Sequence, residues 1–124
     1  MSERAYSPPG WPAEVRPPGA EDWQLTAVVW LFDLVPPDYR AHEVLRRHPV
    51  VLARFAAQHL DAGVAAARQG LATLRAELGG ELDDTTVEAV LAAYDREGRR
   101  LAAAARAVRM VSQALRGTAF VPRL

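Results

Sequence analysis

The fold of this chain is decided by two stretches, PVVLARFAAQHLDAGVAAARQGLATLRAEL at residues 49–78 and TTVEAVLAAYDREGRRLAAAARAVRMVSQALR at residues 85–116. Apolar residues recur every seven positions in both. The repeating positions are Ala57, Val64, Leu71 and Leu78, interleaved with Leu60, Ala67 and Leu74, and then Val87, Tyr94, Leu101, Val108 and Leu115. Such repeats are typical of long helices that pack along each other. The sequence therefore predicts an all-α protein built on an antiparallel two-helix hairpin.

The ends of the two long helices carry recognisable signals. Pro49 suits the first position of a helix, and Gly79 and Gly80 predict a left-handed cap at the end of it. Thr85 followed by Glu88 predicts a capping box at the start of the second helix. At 1.5 Å per residue both helices should be about 45–50 Å long, and the short loop between them makes them antiparallel neighbours.

Reflection of one helix onto the other about the loop predicts which residues face each other. Large side chains fall opposite small residues, which would let the helices approach closely. The predicted pairs are Tyr94 with Gly70, Leu101 with Gly63 and Leu60, and Gly98 with Val64 and Ala67. A kink at Gly98 is the alternative, but no proline or second helix breaker lies beside it.

The N-terminal part is predicted to contain a Pro-rich arm and two short helices. Residues 1–19, the Pro-rich arm, hold five prolines, which favours an extended segment outside the helical domain formed by residues 20–124. Within the arm, Trp11 either pins it to its own domain or serves as an anchor for a partner. A first helix is expected at residues 20–34, apolar nearly all round and thus needing cover on more than one side. A second is expected at residues 39–47, capped by Asp38.

Composition limits the function classes. The 124 residues have no cysteine, no lysine and a formal net charge of zero, so thiolate chemistry is excluded. No apolar run reaches the roughly 20 residues of a membrane span and no apolar stretch follows the first residues as in a secretion signal, so a cytoplasmic location is the default. The charge is unevenly distributed, since residues 77–97 hold seven acids and one arginine, whereas residues 98–124 hold six arginines and no acid. The hairpin should be acidic at its loop and basic at the far end of its second helix.

No motif for catalysis, cofactor binding or metal binding stands out. His42 and His48 are six residues apart with a proline after the second, whereas two zinc-binding histidines on one helical face are four apart. The Glu-x-x-His pattern of di-metal bundles and a glycine-rich phosphate loop are both missing from the sequence. We therefore expect no enzymatic activity, no cofactor and no metal.

Two surfaces remain as candidate functional sites. The first is a set of apolar residues near the predicted loop: Leu71, Leu74, Leu78, Val87, Val90, Leu91 and Tyr94. The predicted first helix is too short to cover them, so a homodimer forming a four-helix bundle, or a protein partner, is predicted to bury them. The second is an arginine stripe on the last helix: Arg99, Arg106, Arg109 and Arg116.

The first surface favours an interaction or assembly module that acts through self-association or by docking a partner helix. The stripe suggests an alternative, a nucleic-acid-associated factor, because a line of arginines can contact a phosphate backbone. Arginines can equally flank an apolar face and meet acids of a neighbouring helix.

Overall fold

The computed structural model describes residues 6–118 and residue 120, and within them the chain is all-α. The described helices are α1 (Trp23–Asp33), a 3-10 helix (Pro37–Ala41), α2 (Glu43–Arg47), α3 (Pro49–Leu78) and α4 (Asp84–Leu115). The long helices α3 and α4 pack against each other as the predicted hairpin. We call the end where they join the loop end, and the end where α3 begins and α4 finishes the open end.

Three of the pairs that the reflection predicted are confirmed: Gly70 with Tyr94, Gly63 with Leu101, and Gly98 with Ala67. A Cβ atom added to Gly70 would overlap the ring of Tyr94, and one added to Gly63 would lie 2.9 Å from Leu101 Cδ1. At Gly98 the added atom would lie 3.5 Å from Ala67 Cβ. Gly63 and Gly70 therefore make room for large side chains from α4, and α4 continues through Gly98 as one helix.

The end of α3 and the start of α4 differ from the predicted caps. Gly79 keeps a right-handed conformation with φ −61° and donates its amide to Arg75 O, so the predicted left-handed cap is wrong. The cap of α4 is Asp83, whose Oδ1 accepts a 2.7 Å hydrogen bond from Thr86 N. Asp83 occupies this position because its extended backbone places the carboxylate over the first turn. The predicted Thr85–Glu88 capping box is therefore wrong.

The cap at Asp83 makes the stability of the hairpin depend on pH. The hydrogen bonds from Thr86 lower the pKa of the Asp83 carboxyl. A lowered pKa in the folded state means that the cap stabilises the fold above the ordinary aspartate pKa of about 3.9, and that this contribution is lost as the pH falls below it. Asparagine caps a helix without titrating. We expect the stability advantage of the wild type over Asp83→Asn to shrink between about pH 6 and pH 2 in denaturant titrations. Parallel stability profiles would contradict this.

The first helix is shorter than predicted. Asp22 has a left-handed φ of 60°, so α1 begins at Trp23 and the acids at positions 21 and 22 lie outside its first turn. Its buried face packs on the open end of the hairpin, mainly against α3. The core at this end consists of Trp11, Val15, Trp23, Ala27, Trp30, Leu31, Phe32, Val35, Leu45, Leu52, Ala53, Ala56, Leu60, Ala105, Val108, Val111 and Ala114.

The connection between α1 and α3 is divided into two short helices. His42 adopts an extended conformation with φ −87° and ψ 100°, which separates the 3-10 helix from α2. The single helix predicted for residues 39–47 is therefore wrong, and Asp38 makes no capping hydrogen bond. Leu45 is fully buried and fixes α2 against α3, which brings the chain to Pro49 in position to start the hairpin.

The described part of the Pro-rich arm is folded against the open end. Trp11 and Val15 belong to the core, and Trp11 Nε1 donates hydrogen bonds to Val15 O at 3.0 Å and Arg16 O at 3.2 Å. The Trp11 ring lies 5.9 Å from that of Trp23. The expectation that this segment is extended and unpacked is wrong for residues 6–19, because the tryptophan and its backbone hydrogen bonds hold it in turns. Trp11 thus pins the arm to its own domain, the first of its two predicted roles.

Candidate interaction surface

The loop-end half of the hairpin is much less covered than the open end. The helix α1 has 11 residues against 30 in α3, so at 1.5 Å per residue it spans about 16 Å of a helix of about 45 Å. In the loop-end half, the buried apolar residues are Ala67, Leu74 and Val87. This is the length mismatch that the sequence predicted.

The seven residues of the predicted interface divide into three groups. Leu74 and Val87 are buried between α3 and α4 and hold the hairpin together. Val90, Leu91 and Tyr94 are half-buried. Leu71 and Leu78 are exposed at 41% and 40%. The residues available to a partner are therefore Leu71 and Leu78, with the edges of the half-buried group, rather than the whole predicted set.

A shallow groove runs between α3 and α4 on the face of the hairpin where Leu71 is exposed. It consists of two adjoining depressions of about 190 and 440 Å³ that share Val64, Arg68 and Ala102. The first extends toward the loop end and the second toward the open end. We call them together the hairpin groove, lined by Asp61, Val64, Ala65, Ala67, Arg68, Leu71, Tyr94, Asp95, Gly98, Arg99, Ala102, Ala105, Arg106 and Arg109. Its floor is apolar and made largely of small residues, and its rim is charged.

Three of the four arginines of the predicted stripe line this groove. Arg99 pairs with Asp95 at 3.1 Å, and Arg109 pairs with Asp61 of α3 at 3.1 Å. Arg106 and Arg116 are exposed, and neither forms an ion pair within the described residues. Half of the stripe is thus matched by acids of the same chain, which leaves less positive charge for a phosphate backbone. Nucleic-acid binding stays an alternative prediction.

The opposite face of the hairpin carries α1 and a different set of charges. Asp33 and Leu34, at the end of α1, lie next to Leu60, Gly63 and Leu101. Beyond them Glu97 pairs with Arg100, and this hydrogen bond lowers the pKa of Glu97 and raises that of Arg100. α1 covers the open end of this face, and beside it a depression of about 500 Å³ remains open. The hairpin groove lies on the face that α1 does not contact.

A second apolar surface lies on the outer side of α1. Leu25 and Val29 are exposed at 66% and 64%, and with Trp30 and Thr26 they line a depression of about 280 Å³. The sequence predicted that this helix needs cover on more than one side. In the described chain the hairpin covers one side, and this second side is open.

The histidines lie apart from both surfaces. Tyr39 packs edge-on against His42 and His59, with ring centroids 6.5 and 6.2 Å away, an arrangement that their sequence spacing does not reveal. Both histidines are exposed. Among residues 6–118 and 120, no three His, Asp or Glu side chains converge as ligands for a metal ion.

These features define an all-α hairpin protein with an open apolar groove. Comparison of the chain with known protein families, with curated proteins and with solved structures found no match. In the part of the chain that the structure describes, no helix combines the length and apolar character required to cross a bilayer.

Proposed function

We propose that this protein is a non-enzymatic cytoplasmic interaction module that self-associates, or docks a partner helix, through the loop-end half of its hairpin. The observation that carries the proposal is the exposure of Leu71, which lines the hairpin groove, and of Leu78, one heptad further along α3. Leucines at heptad positions normally face a neighbouring helix, and here the neighbour on that side is absent from the described chain.

The magnitude of apolar burial indicates how large the interface has to be. Burying a whole leucine side chain contributes about 1.5–3 kcal/mol, so covering the exposed two-fifths of Leu71 or Leu78 contributes about 1 kcal/mol each. Two copies of both residues supply about 4 kcal/mol, whereas association costs about 4–15 kcal/mol. The leucines alone are therefore insufficient, and the floor of the groove must be buried with them.

Replacing Leu71 and Leu78 together with serine tests this proposal. We expect light scattering at tens of micromolar to give a mass above one chain for the wild type, and a mass of one chain for the double variant. Both leucines are exposed, so helicity measured by circular dichroism should be retained. The matched control is Leu25→Ser with Val29→Ser, which removes a larger exposed apolar area from α1 and should leave the mass unchanged. A wild-type mass of one chain, unchanged on dilution, would reject self-association and leave only a partner helix.

The alternative function, a nucleic-acid-associated factor, is supported by Arg106 and Arg116, which are exposed and form no ion pair within the described residues. A gel shift with random-sequence DNA or RNA that disappears as salt is raised would favour it. The proposed assembly module should give no such shift.

A further inference from the structure

Five residues spaced seven apart along α4 form a row whose two halves carry opposite charges. The line consists of Glu88, Asp95, Ala102, Arg109 and Arg116. Seven residues are close to two turns of an α-helix, so consecutive members lie nearly above one another, in a row that turns around the helix by about 20° per heptad. From the loop end to the open end the row has two acids, an alanine and two arginines.

The centre of this row lies on the face of the hairpin away from α1. Asp95, Ala102 and Arg109 line the hairpin groove, whereas α1 packs on the opposite face beside Leu101. The charged side chains of the row are exposed: 68% for Glu88, 50% for Asp95 and 56% for Arg109. These charged side chains are therefore accessible to a partner along a row about 42 Å long.

We propose that the hairpin groove is occupied by a second copy of this chain, with the two α4 helices antiparallel about a two-fold axis at Ala102. The inference rests on the proposed function and specifies its partner and orientation. In this arrangement Glu88 faces the partner's Arg116, and Asp95 faces the partner's Arg109. Two-fold symmetry repeats both pairs, so all eight charges of the two rows meet an opposite charge.

The residues at the centre of the row allow the two helices to approach closely. Gly98 and Ala102 present almost no side chain beside the axis, and the buried Ala105 lies at the floor of the groove. Helix axes come as near as about 8 Å when the contact residues are small. The antiparallel arrangement also places the loop end of one hairpin beside the open end of its partner. Leu71, which lines the groove on the face away from α1, is then beside the partner.

A parallel arrangement of the same row is unfavourable. It would place each charged residue of the row beside the same residue of the partner, for example Glu88 beside the partner's Glu88. Like charges would then repel at all four charged positions. The ion pairs within one chain do not prevent the antiparallel form. Arg75 with Glu88, Arg99 with Asp95 and Arg109 with Asp61 are exposed pairs, which contribute little by themselves and can share their charges with a partner.

Disulfide cross-linking tests the orientation cleanly because the natural chain has no cysteine. We would prepare Asp95→Cys and Arg109→Cys as separate full-length chains, and oxidise each alone and in an equal mixture. In the antiparallel dimer these two positions face each other, within the Cα separation of about 7 Å that a disulfide tolerates. Identical positions lie fourteen residues apart along the paired helices, about 21 Å. We expect a cross-linked dimer in the mixture and none from either variant alone.

Two further variants test the face and the register. Two copies of the Ala102→Cys chain should cross-link to each other, because this position lies on the two-fold axis. Ala103→Cys is the matched control, an exposed alanine turned by about 100° around the helix, and it should form no cross-link under the same oxidation. Circular dichroism of each reduced variant checks that the helices are intact.

The outcomes separate this inference from the proposed function. Cross-linking of Asp95→Cys alone, with none between the two variants in the mixture, would mean a parallel dimer and overturn the inference. Light scattering that shows a dimer while the Asp95→Cys and Arg109→Cys mixture gives no cross-link would also overturn it, yet leave self-association standing. A mass of one chain at every concentration would reject the inference and self-association together, and leave only docking of a partner helix from the proposed function.

Discussion

Replacing Trp11 with alanine should lower the free energy of unfolding by about 3–5 kcal/mol, the usual cost of truncating a buried aromatic residue. Trp11 is 9% exposed, lies against Trp23 and donates two hydrogen bonds to the backbone of its own segment. Its loss should release residues 6–16 from the open end. Chemical denaturation followed by circular dichroism measures the first effect, and protease cleavage within this segment measures the second.

The matched control for this change is Trp11→Phe. It keeps an aromatic ring beside Trp23 but removes the Nε1 donor to Val15 O and Arg16 O. A hydrogen bond of this kind contributes about 1 kcal/mol, so the loss should be clearly smaller than for alanine. If Trp11→Ala unfolds at the same denaturant concentration as the wild type, the arm is not part of the core.

Replacing Leu52 with alanine should cost about 2–5 kcal/mol. Leu52 is fully buried and belongs to the core formed by α1, α3, α4 and the arm. The cavity left behind cannot collapse easily, because three helices fix its walls. The melting temperature should fall on the order of 10 °C.

Leu25→Ala is the matched control for Leu52→Ala. It makes the same substitution at a position that is largely exposed, so its effect should stay within about 0.5 kcal/mol. Both variants and the wild type should be measured at one protein concentration, because self-association would add to the stability. Equal losses for the two substitutions would contradict the assignment of the core to the open end.

The hairpin was predictable because its determinants are local and repetitive. The heptads fix which side of each helix is apolar, and a short loop fixes the antiparallel pairing. The opposition of Gly70 and Tyr94, and of Gly63 and Leu101, follows from counting outward from that loop, as the structure confirms. Helix ends were less predictable, because several residues compete for each cap. Asp83 caps α4 where Thr85 was expected, and His42 interrupts an expected helix.

The candidate site was predicted only in part. The apolar repeat identified the loop-end half of the hairpin, but it could not separate Leu74, which packs inside the hairpin, from Leu71, which faces outward. Positions three residues apart lie close together on a helix, and a small rotation about its axis decides which one the partner helix covers. That rotation is set by packing along the whole hairpin.

The sequence by itself determined the class of fold, the length of the two long helices and the uncovered loop end, since periodicity and helix length are properties of the chain alone. Tertiary structure decided the rest. The prolines of residues 6–19 predict an extended arm, yet burial of Trp11 and Val15 folds it onto the open end. Likewise, the row from Glu88 to Arg116 can be read in the sequence. That α1 does not cover the centre of this row follows only from the packing of α1 beside Leu101, on the other face of the hairpin. That choice of side depends on how α1, α3 and the arm fill one core together.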